Sequence, residues 1–102
     1  MKTIEEIRQQ LQSGVLEVSV HALRRMVERN ISEIEIRQAG ENVIIIEDYP
    51  NDKYSPSCLV LGFTGEGKVL HVQVSRKESD SLKIITLYEP DENHWLNYSQ
   101  RR

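Results

Sequence analysis

The sequence predicts one α+β domain in which N-terminal helices pack on a four-stranded antiparallel sheet. Apolar residues recur at helical spacing up to Gly40, and segments rich in β-branched residues follow from Val43 onward. Helices that precede the strands along the chain are typical of α+β proteins, in which the helices cover one face of the sheet. A length of 102 residues fits a single domain, and an apolar content of 38% is sufficient for a modest core.

Three helices are predicted from residues that favour helix ends. In chain order, the residues that begin and end them are Thr3 and Gly14, Ser19 and Asn30, and Ser32 and Gly40. A glutamate lies three residues after Thr3 and three residues after Ser32, which is the spacing of a capping box. Each helix is therefore expected to begin at a hydroxyl side chain that binds a free backbone amide.

The second helix is predicted to be amphipathic. Its expected buried stripe consists of Leu23, Met26, Val27 and, at its end, Ile31. An advance of about 100° per residue places charged and polar side chains opposite that stripe. These are His21, Arg24, Arg25 and Glu28, with Arg29 at the margin. The helix thus gathers an imidazole and several guanidinium groups on one surface.

Four strands are predicted after the helices, at residues 43–49, 58–64, 69–75 and 83–88. Prolines, glycines and other turn-forming residues separate them, which is typical of an antiparallel meander. Residues 15–18 are expected to form a short link before the second helix. In the tail, His94 and Trp95 are expected to dock the C-terminus on the domain.

Side-chain alternation predicts a polar patch on the sheet. His71 and Gln73 share one face of the third strand, and Thr86 and Tyr88 share one face of the fourth. The same alternation assigns Ile84 to the face of Thr86. Because consecutive strands of a meander are neighbours, we expect the four polar side chains to lie together.

Composition argues against several classes of protein. The net charge of −3 argues against non-specific coating of nucleic acid but is compatible with a local basic site. A single cysteine, Cys58, excludes an intramolecular disulfide and is expected to be a small buried side chain. The histidines and the cysteine lack the spacing of metal ligands, so no metal and no cofactor are expected. Without an apolar signal segment or a membrane-spanning run, the expectation is a cytoplasmic protein with no membrane contact.

These residue types suit the cleavage of RNA by its own 2′-hydroxyl. One group removes the 2′ proton, a second protonates the leaving 5′ oxygen, and cations stabilise the charge on phosphorus. Histidine exchanges protons near neutral pH, and arginine offers phosphate a planar set of donors. The simpler interpretation is that the helix face is only solvated and that the strand residues serve packing.

Four ordered motifs carry a resemblance to a known family. They are S-x-H-A-x-x-R-M-x-x-R-x-I-S at residues 19–32, Y-P-N-D-K-Y-S-P-S-C-L-V-L-G at residues 49–62, L-H-V-Q-V at residues 70–74, and I-I-T-L-Y-E-P-D at residues 84–91, followed by Trp95. Together they resemble a bacterial family first described as a domain of unknown function. That family is grouped with RelE-like and MqsR-like toxins, in the BECR superfamily that also holds barnase and colicin ribonuclease domains.

The resemblance implies a RelE/barnase-like fold and a function. The chain would be a single ribonuclease-toxin-like domain, the toxin of a type II toxin–antitoxin pair. It would cleave RNA, including messenger RNA, to a cyclic phosphate without a metal or another cofactor. Its partner would be a cognate antitoxin of zinc-finger or helix-turn-helix type.

The resemblance also implies the site residues. The catalytic residues would be His21, Arg25, His71 and Thr86. The two histidines would act as general acid and general base in either order, the arginine would hold the phosphate, and the threonine would bond a phosphate oxygen or orient a histidine. Further RNA contacts are expected from Arg24, Arg29, Gln73 and Tyr88, the last by stacking on a base or by proton transfer.

Two other functions stay open on the residues alone. A non-catalytic module would use the same basic helix face to hold RNA or an acidic protein partner. A structural or immunity-type protein would act instead through its acidic surface.

Overall fold

Three helices and seven strands make up the computed structural model, which describes residues 1–102. The helices are α1 (Ile4–Ser13), α2 (Val20–Glu28) and α3 (Glu33–Gly40). The strands are β1 (Leu16–Val18), β2 (Ile44–Tyr49), β3 (Ser57–Phe63), β4 (Val69–Ser75), β5 (Leu82–Tyr88), β6 (Trp95–Leu96) and β7 (Gln100–Arg101). None of the helices has the length and apolar composition needed to cross a membrane.

The predicted helix caps are confirmed. Thr3 and Ser32 each form a capping box with the glutamate three residues later. The Oγ of Ser19 accepts a hydrogen bond from the backbone amide of Ala22 at 3.1 Å. Gly14 follows α1 with a φ of 69°, a left-handed conformation that glycine adopts without steric cost. Local sequence therefore determines where the helices begin and where the first one ends.

The main sheet has five strands and is mixed, so the predicted four-stranded antiparallel sheet is wrong. Its strand order is β1-β5-β4-β3-β2, and β2 to β5 form the predicted antiparallel meander. The difference is β1, predicted to be a link, which runs parallel to β5 with Leu16 beside Leu82. A three-residue strand is too short to show alternation, and its partner lies near the other end of the chain. The protein remains an α+β fold.

The helices cover one face of the main sheet. That face carries the apolar side chains of the central strands, including Val60 from β3, Val72 and Val74 from β4, and Leu82 and Leu87 from β5. The helices contribute Ile7, Leu11, Ala22, Met26, Ile36 and Ala39 to the same core. The opposite face is partly covered by the C-terminal hairpin, which we define as residues 95–101 and which contains β6 and β7.

The predicted buried stripe of α2 is only partly correct. Met26 and Ile31 are buried, but Leu23 is 52% exposed and Val27 is 77% exposed. Ala22, which is fully buried, takes the place of the larger side chains and lets the helix lie close to β5. Val20, Leu23 and Val27 consequently form an exposed apolar strip on α2.

Strand register brings the four predicted polar residues together. His71 lies opposite Tyr88, and Gln73 lies opposite Thr86. Directly opposed residues project from the same face of a sheet. The predicted adjacency of these side chains across β4 and β5 is therefore confirmed.

A β-bulge shifts the alternation along β5. Val74 lies opposite Ile84 although its neighbour Gln73 lies opposite Thr86, so Ile85 is the extra residue. Because of this shift, Ile84 and Leu87 both point into the core. The assignment of Ile84 to the face of Thr86 is therefore wrong, since regular alternation does not continue through a bulge.

Candidate functional site

A groove of about 420 Å³ opens where the start of α2, strand β5 and the loop after β2 meet. We call it the His21 groove. Its lining residues are Ser19, His21, Asp52, Tyr54, Ser55, Gln73, Lys83 and Ile85. A neighbouring cavity of about 470 Å³ shares Asp52 and Gln73 with it. The volume lies within the range of small-ligand sites.

Two groups with useful chemistry face this groove from different elements. His21 lies in the first turn of α2, which Ser19 positions by capping the helix. Lys83 projects from β5, beside the bulged Ile85. Both side chains are exposed, and neither forms an ion pair within the chain. The groove therefore offers a ligand an imidazole and an ammonium that is not held in an ion pair, although Glu17 of β1 lies opposite Lys83.

A chain of hydrogen bonds fixes the loop that forms the far wall. The Nε2 of Gln73 donates to the Oγ of Ser57 at 3.2 Å, and that hydroxyl donates to the Oδ2 of Asp52 at 2.6 Å. The other oxygen of Asp52 accepts from the backbone amide of Lys53 at 2.8 Å. Ser57 is fully buried, so this chain ties the loop to the centre of the sheet. Both oxygens of the Asp52 carboxylate are occupied by groups of the protein.

His71 lies outside the groove, beneath the C-terminal hairpin, and is fully buried. Its Nε2 lies 2.6 Å from the carbonyl oxygen of Tyr98, and its Nδ1 lies 3.2 Å from the hydroxyl of Tyr88. A carbonyl only accepts, so Nε2 donates, and in the neutral ring Nδ1 accepts from Tyr88. Burial lowers the pKa of His71, and the hydrogen bond to Tyr98 opposes that shift. The ring is thus held neutral with both nitrogens occupied.

Two side chains of the C-terminal hairpin, Trp95 and Arg101, attach it over His71. The ring of Trp95 meets the imidazole of His71 edge to face, with centroids 4.5 Å apart. The guanidinium of Arg101 lies 4.6 Å from the Trp95 ring and donates to Glu47 at 2.8 Å. The hydrogen bond from Arg101 lowers the pKa of Glu47. These contacts separate His71 from solvent.

The arginines of α2 do not line the groove. Arg25, one turn after His21, pairs with Glu28 at 2.8 Å and is partly exposed. Arg29 donates to the carbonyl oxygen of Leu87 at 2.7 Å and so holds α2 against β5. Arg24 lies beside the exposed apolar strip, on another side of the helix.

The two remaining predicted residues are half-buried on the sheet. Thr86 lies opposite Gln73, and the hydroxyl of Tyr88 forms a hydrogen bond with His71. Of the eight residues predicted for the site, the groove brings together His21 and Gln73. Arg25 lies one helical turn after His21 but does not line the groove.

Sequence reasoning missed several residues of the groove. Lys83 stands between Leu82 and Ile84, which are both buried, so it faces outward. Regular alternation had placed Ile84 on the outer face and therefore assigned Lys83 to the inner one. Tyr54 and Asp52 lie in a loop that sequence patterns cannot place against α2. Their contribution depends on how the loop folds back over the sheet.

The described residues contain no group of three or more histidine, cysteine, aspartate or glutamate side chains arranged to hold a metal ion. Cys58 is buried in the core, as predicted. Burial raises the pKa of its thiol to about 11. It therefore serves packing and is not an activated nucleophile.

The comparisons with known proteins identify a family. A family model described as "Domain of unknown function (DUF4258)" matches residues 18–89, which include α2, α3 and strands β2 to β5. His21, Gln73 and Lys83 lie within the matched residues, and the C-terminal hairpin lies outside them. No curated protein and no solved structure matches the chain significantly. Because the match spans well over half of the chain, the protein belongs to the DUF4258 family.

Proposed function

We propose that this protein is the toxin of a type II toxin–antitoxin pair and cleaves RNA at the His21 groove without a metal. The observation that carries the proposal is the placement of His21 and Lys83 in one open groove, where neither side chain is held in an ion pair. The four motifs that resemble RelE-like and MqsR-like toxins support the same reaction. Gln73 adds an amide at the base of the groove.

The reaction follows from the chemistry of these groups. His21 removes the proton of the 2′-hydroxyl, and the 2′ oxygen attacks phosphorus. The bond from phosphorus to the 5′ oxygen breaks, which leaves a 2′,3′-cyclic phosphate and a 5′-hydroxyl. The ammonium of Lys83 stabilises the charge on the phosphate and supplies the proton that the 5′ oxygen takes up. No electron transfer is involved.

The other predicted residues take supporting roles in this proposal. Arg25 lies one helical turn after His21 and binds the phosphate in place of Glu28. The Arg25–Glu28 ion pair is exposed, so breaking it costs little free energy. His71 anchors the C-terminal hairpin and takes no part in the proton transfers, because both of its nitrogens are occupied and the hairpin covers it. Thr86 lies opposite Gln73 on β5 and outside the groove, so it is a neighbour of the site and does not contact the RNA.

End-group analysis tests the reaction. The purified protein is incubated in EDTA with a structured and an unstructured RNA, and the products are characterised by mass. We expect fragments that end in a 2′,3′-cyclic phosphate and begin with a 5′-hydroxyl. Replacing the nucleotide before a cleaved bond by its 2′-deoxy form should abolish cleavage there. Intact RNA, or unchanged cleavage at the 2′-deoxy position, contradicts the proposal.

The covered position of His71 favours a second candidate, a non-catalytic module that holds RNA or an acidic partner in the same groove. Only one of the two predicted catalytic histidines faces solvent. Under this alternative, the protein binds RNA without turnover. A Lys83→Gln variant then weakens binding, and wild-type protein leaves RNA intact in the assay above.

The proposed partner is an antitoxin protein that covers the exposed apolar strip of α2. Val20, Leu23 and Val27 are 70%, 52% and 77% exposed on one side of the helix. Co-expression with the product of the adjacent gene tests this assignment. Val27→Glu should disrupt the complex, and Val15→Glu, an exposed valine outside α2, should leave it intact. Equal effects of the two substitutions contradict the assignment.

A further inference from the structure

Tyr54 is an aromatic residue that the fold does not use. It is 89% exposed, the highest value among the large exposed apolar and aromatic side chains, and it lies on the wall of the His21 groove. The Nζ of Lys53 lies 5.4 Å from the ring centroid. Folding buries almost none of this ring, so its removal costs the native state little. A ring so placed is available to a ligand in the groove.

The loop presents this ring from a constrained position. The chain of hydrogen bonds through Ser57 holds Asp52, two residues before Tyr54. One residue after Tyr54, the Oγ of Ser55 lies 3.1 Å from the Oγ of Ser75 on β4. The loop is thus attached to the sheet on both sides of the ring. A ligand that stacks on Tyr54 orders little additional backbone, which lowers the entropic cost of binding.

We infer that Tyr54 stacks on a nucleobase of the RNA that occupies the His21 groove, and that it thereby selects unpaired nucleotides. The inference rests on the proposed function, since that function supplies the ligand. Every nucleobase has a π-face, and an aromatic side chain binds it largely irrespective of sequence. In a duplex the base faces are covered by their neighbours, so a base reaches Tyr54 only when it is unstacked. Lys83 then lies in the groove to receive the attached phosphate.

The charge of the protein makes this contact important for affinity. RNA-binding proteins usually gain most of their affinity from phosphate contacts, but this chain has a net charge of −3. Few cations face the groove, and Asp52 adds a carboxylate to its wall. The small number of cations does not weaken stacking, because stacking does not require a positive electrostatic potential.

Equilibrium binding of an uncleavable RNA tests the inference. The probe is a short fluorescein-labelled single strand of 2′-O-methyl RNA, and its fluorescence anisotropy is measured with wild type, Tyr54→Ala and Tyr54→Phe. We expect Tyr54→Ala to raise Kd by about fivefold, the low end of the effect of losing one stacked base, and Tyr54→Phe to retain wild-type affinity. Phe63→Ala, which removes another exposed aromatic ring outside the groove, should retain it as well.

Two further probes separate stacking from phosphate binding. An abasic strand of the same length should bind wild type and Tyr54→Ala equally, and a blunt duplex should bind wild type more weakly than the single strand. If Tyr54→Ala binds the single strand like wild type, or if wild type binds no RNA, the inference is overturned. Because the probe cannot be cleaved, the Tyr54 effect can be present without turnover. In that case the inference stands and only the catalytic proposal fails.

Discussion

Replacement of His71 by alanine tests the role assigned to this residue in attaching the C-terminal hairpin. The imidazole is fully buried and bonds the Tyr98 carbonyl at 2.6 Å and the Tyr88 hydroxyl at 3.2 Å. It also meets the rings of Tyr88 and Trp95 edge to face, at centroid distances of 5.2 and 4.5 Å. Alanine removes all four interactions and leaves a cavity beneath the hairpin.

The expected destabilisation follows from these contacts. Each hydrogen bond contributes about 1 kcal/mol net, and each aromatic contact contributes about 0.5 kcal/mol or more beyond its buried area. We therefore expect His71→Ala to lower the free energy of unfolding by about 3 kcal/mol.

Urea denaturation monitored by Trp95 fluorescence and by circular dichroism measures this effect. The midpoint should fall, with little change in the slope if the hairpin stays folded. His94→Ala is the matched control, because it removes an exposed histidine next to Trp95 and should change stability by less than about 0.5 kcal/mol. A loss below about 1 kcal/mol for His71→Ala would refute the anchoring role.

The free energy of unfolding should depend on pH differently in wild type and in His71→Ala. Burial lowers the pKa of His71 in the native state, so below a pH of about 6.5 the unfolded chain binds protons that the native state does not. The contribution of neutral His71 is complete above that pH and is lost as the pH falls toward the native pKa. Wild type should therefore lose stability more steeply than His71→Ala as the pH falls below about 6.5. Parallel curves would contradict the assignment.

Two further predictions concern the core. Gly40→Ala should destabilise the protein by about 2 kcal/mol in urea, because a Cβ there would lie 2.6 Å from the Cβ of Leu11. Gly65→Ala, whose Cβ would approach only the side chain of Gln38 at 3.4 Å, should cost clearly less, and equal losses would contradict the close packing of α1 on α3. Cys58 should react with a thiol reagent at neutral pH only after unfolding in urea, because burial raises its pKa to about 11. Rapid reaction in the native protein would show that the core opens at β3.

Features of the fold that depend on neighbouring residues were predictable from the sequence. Thr3, Ser19 and Ser32 bind amides within their own helices, and Gly14 ends α1 through its own backbone conformation. The strands of the meander are close to their predicted bounds, and β4 matches them. In each case the pattern and the structure it predicts involve the same few residues.

Features that depend on distant parts of the chain were not predictable in this way. The partner of β1 is β5, and the exposure of Leu23 and Val27 follows from how α2 sits on that strand. The bulge at Ile85 reverses the alternation that had assigned Ile84 to the outer face.

In the candidate site too, local patterns were predictable and contacts with distant parts of the chain were not. His21 and Gln73 were predicted from a helix face and from strand alternation, and both line the groove. His71 was predicted to share their site, but the C-terminal hairpin covers it. Nothing in the alternation of β4 indicates which residues the last part of the chain will cover. Lys83 was missed because alternation without the bulge at Ile85 assigns it to the opposite face from Thr86.

The rate of RNA cleavage by His21→Ala tests the central claim most directly. Cleavage of one RNA in EDTA is compared for wild type, His21→Ala and His94→Ala at equal concentrations of folded protein. A general base contributes about a hundredfold or more to such a reaction, so His21→Ala should be at least that much slower. His94→Ala should cleave at the wild-type rate, because its side chain lies outside the groove. Equal rates for wild type and His21→Ala, or no cleavage by wild type, would contradict the account.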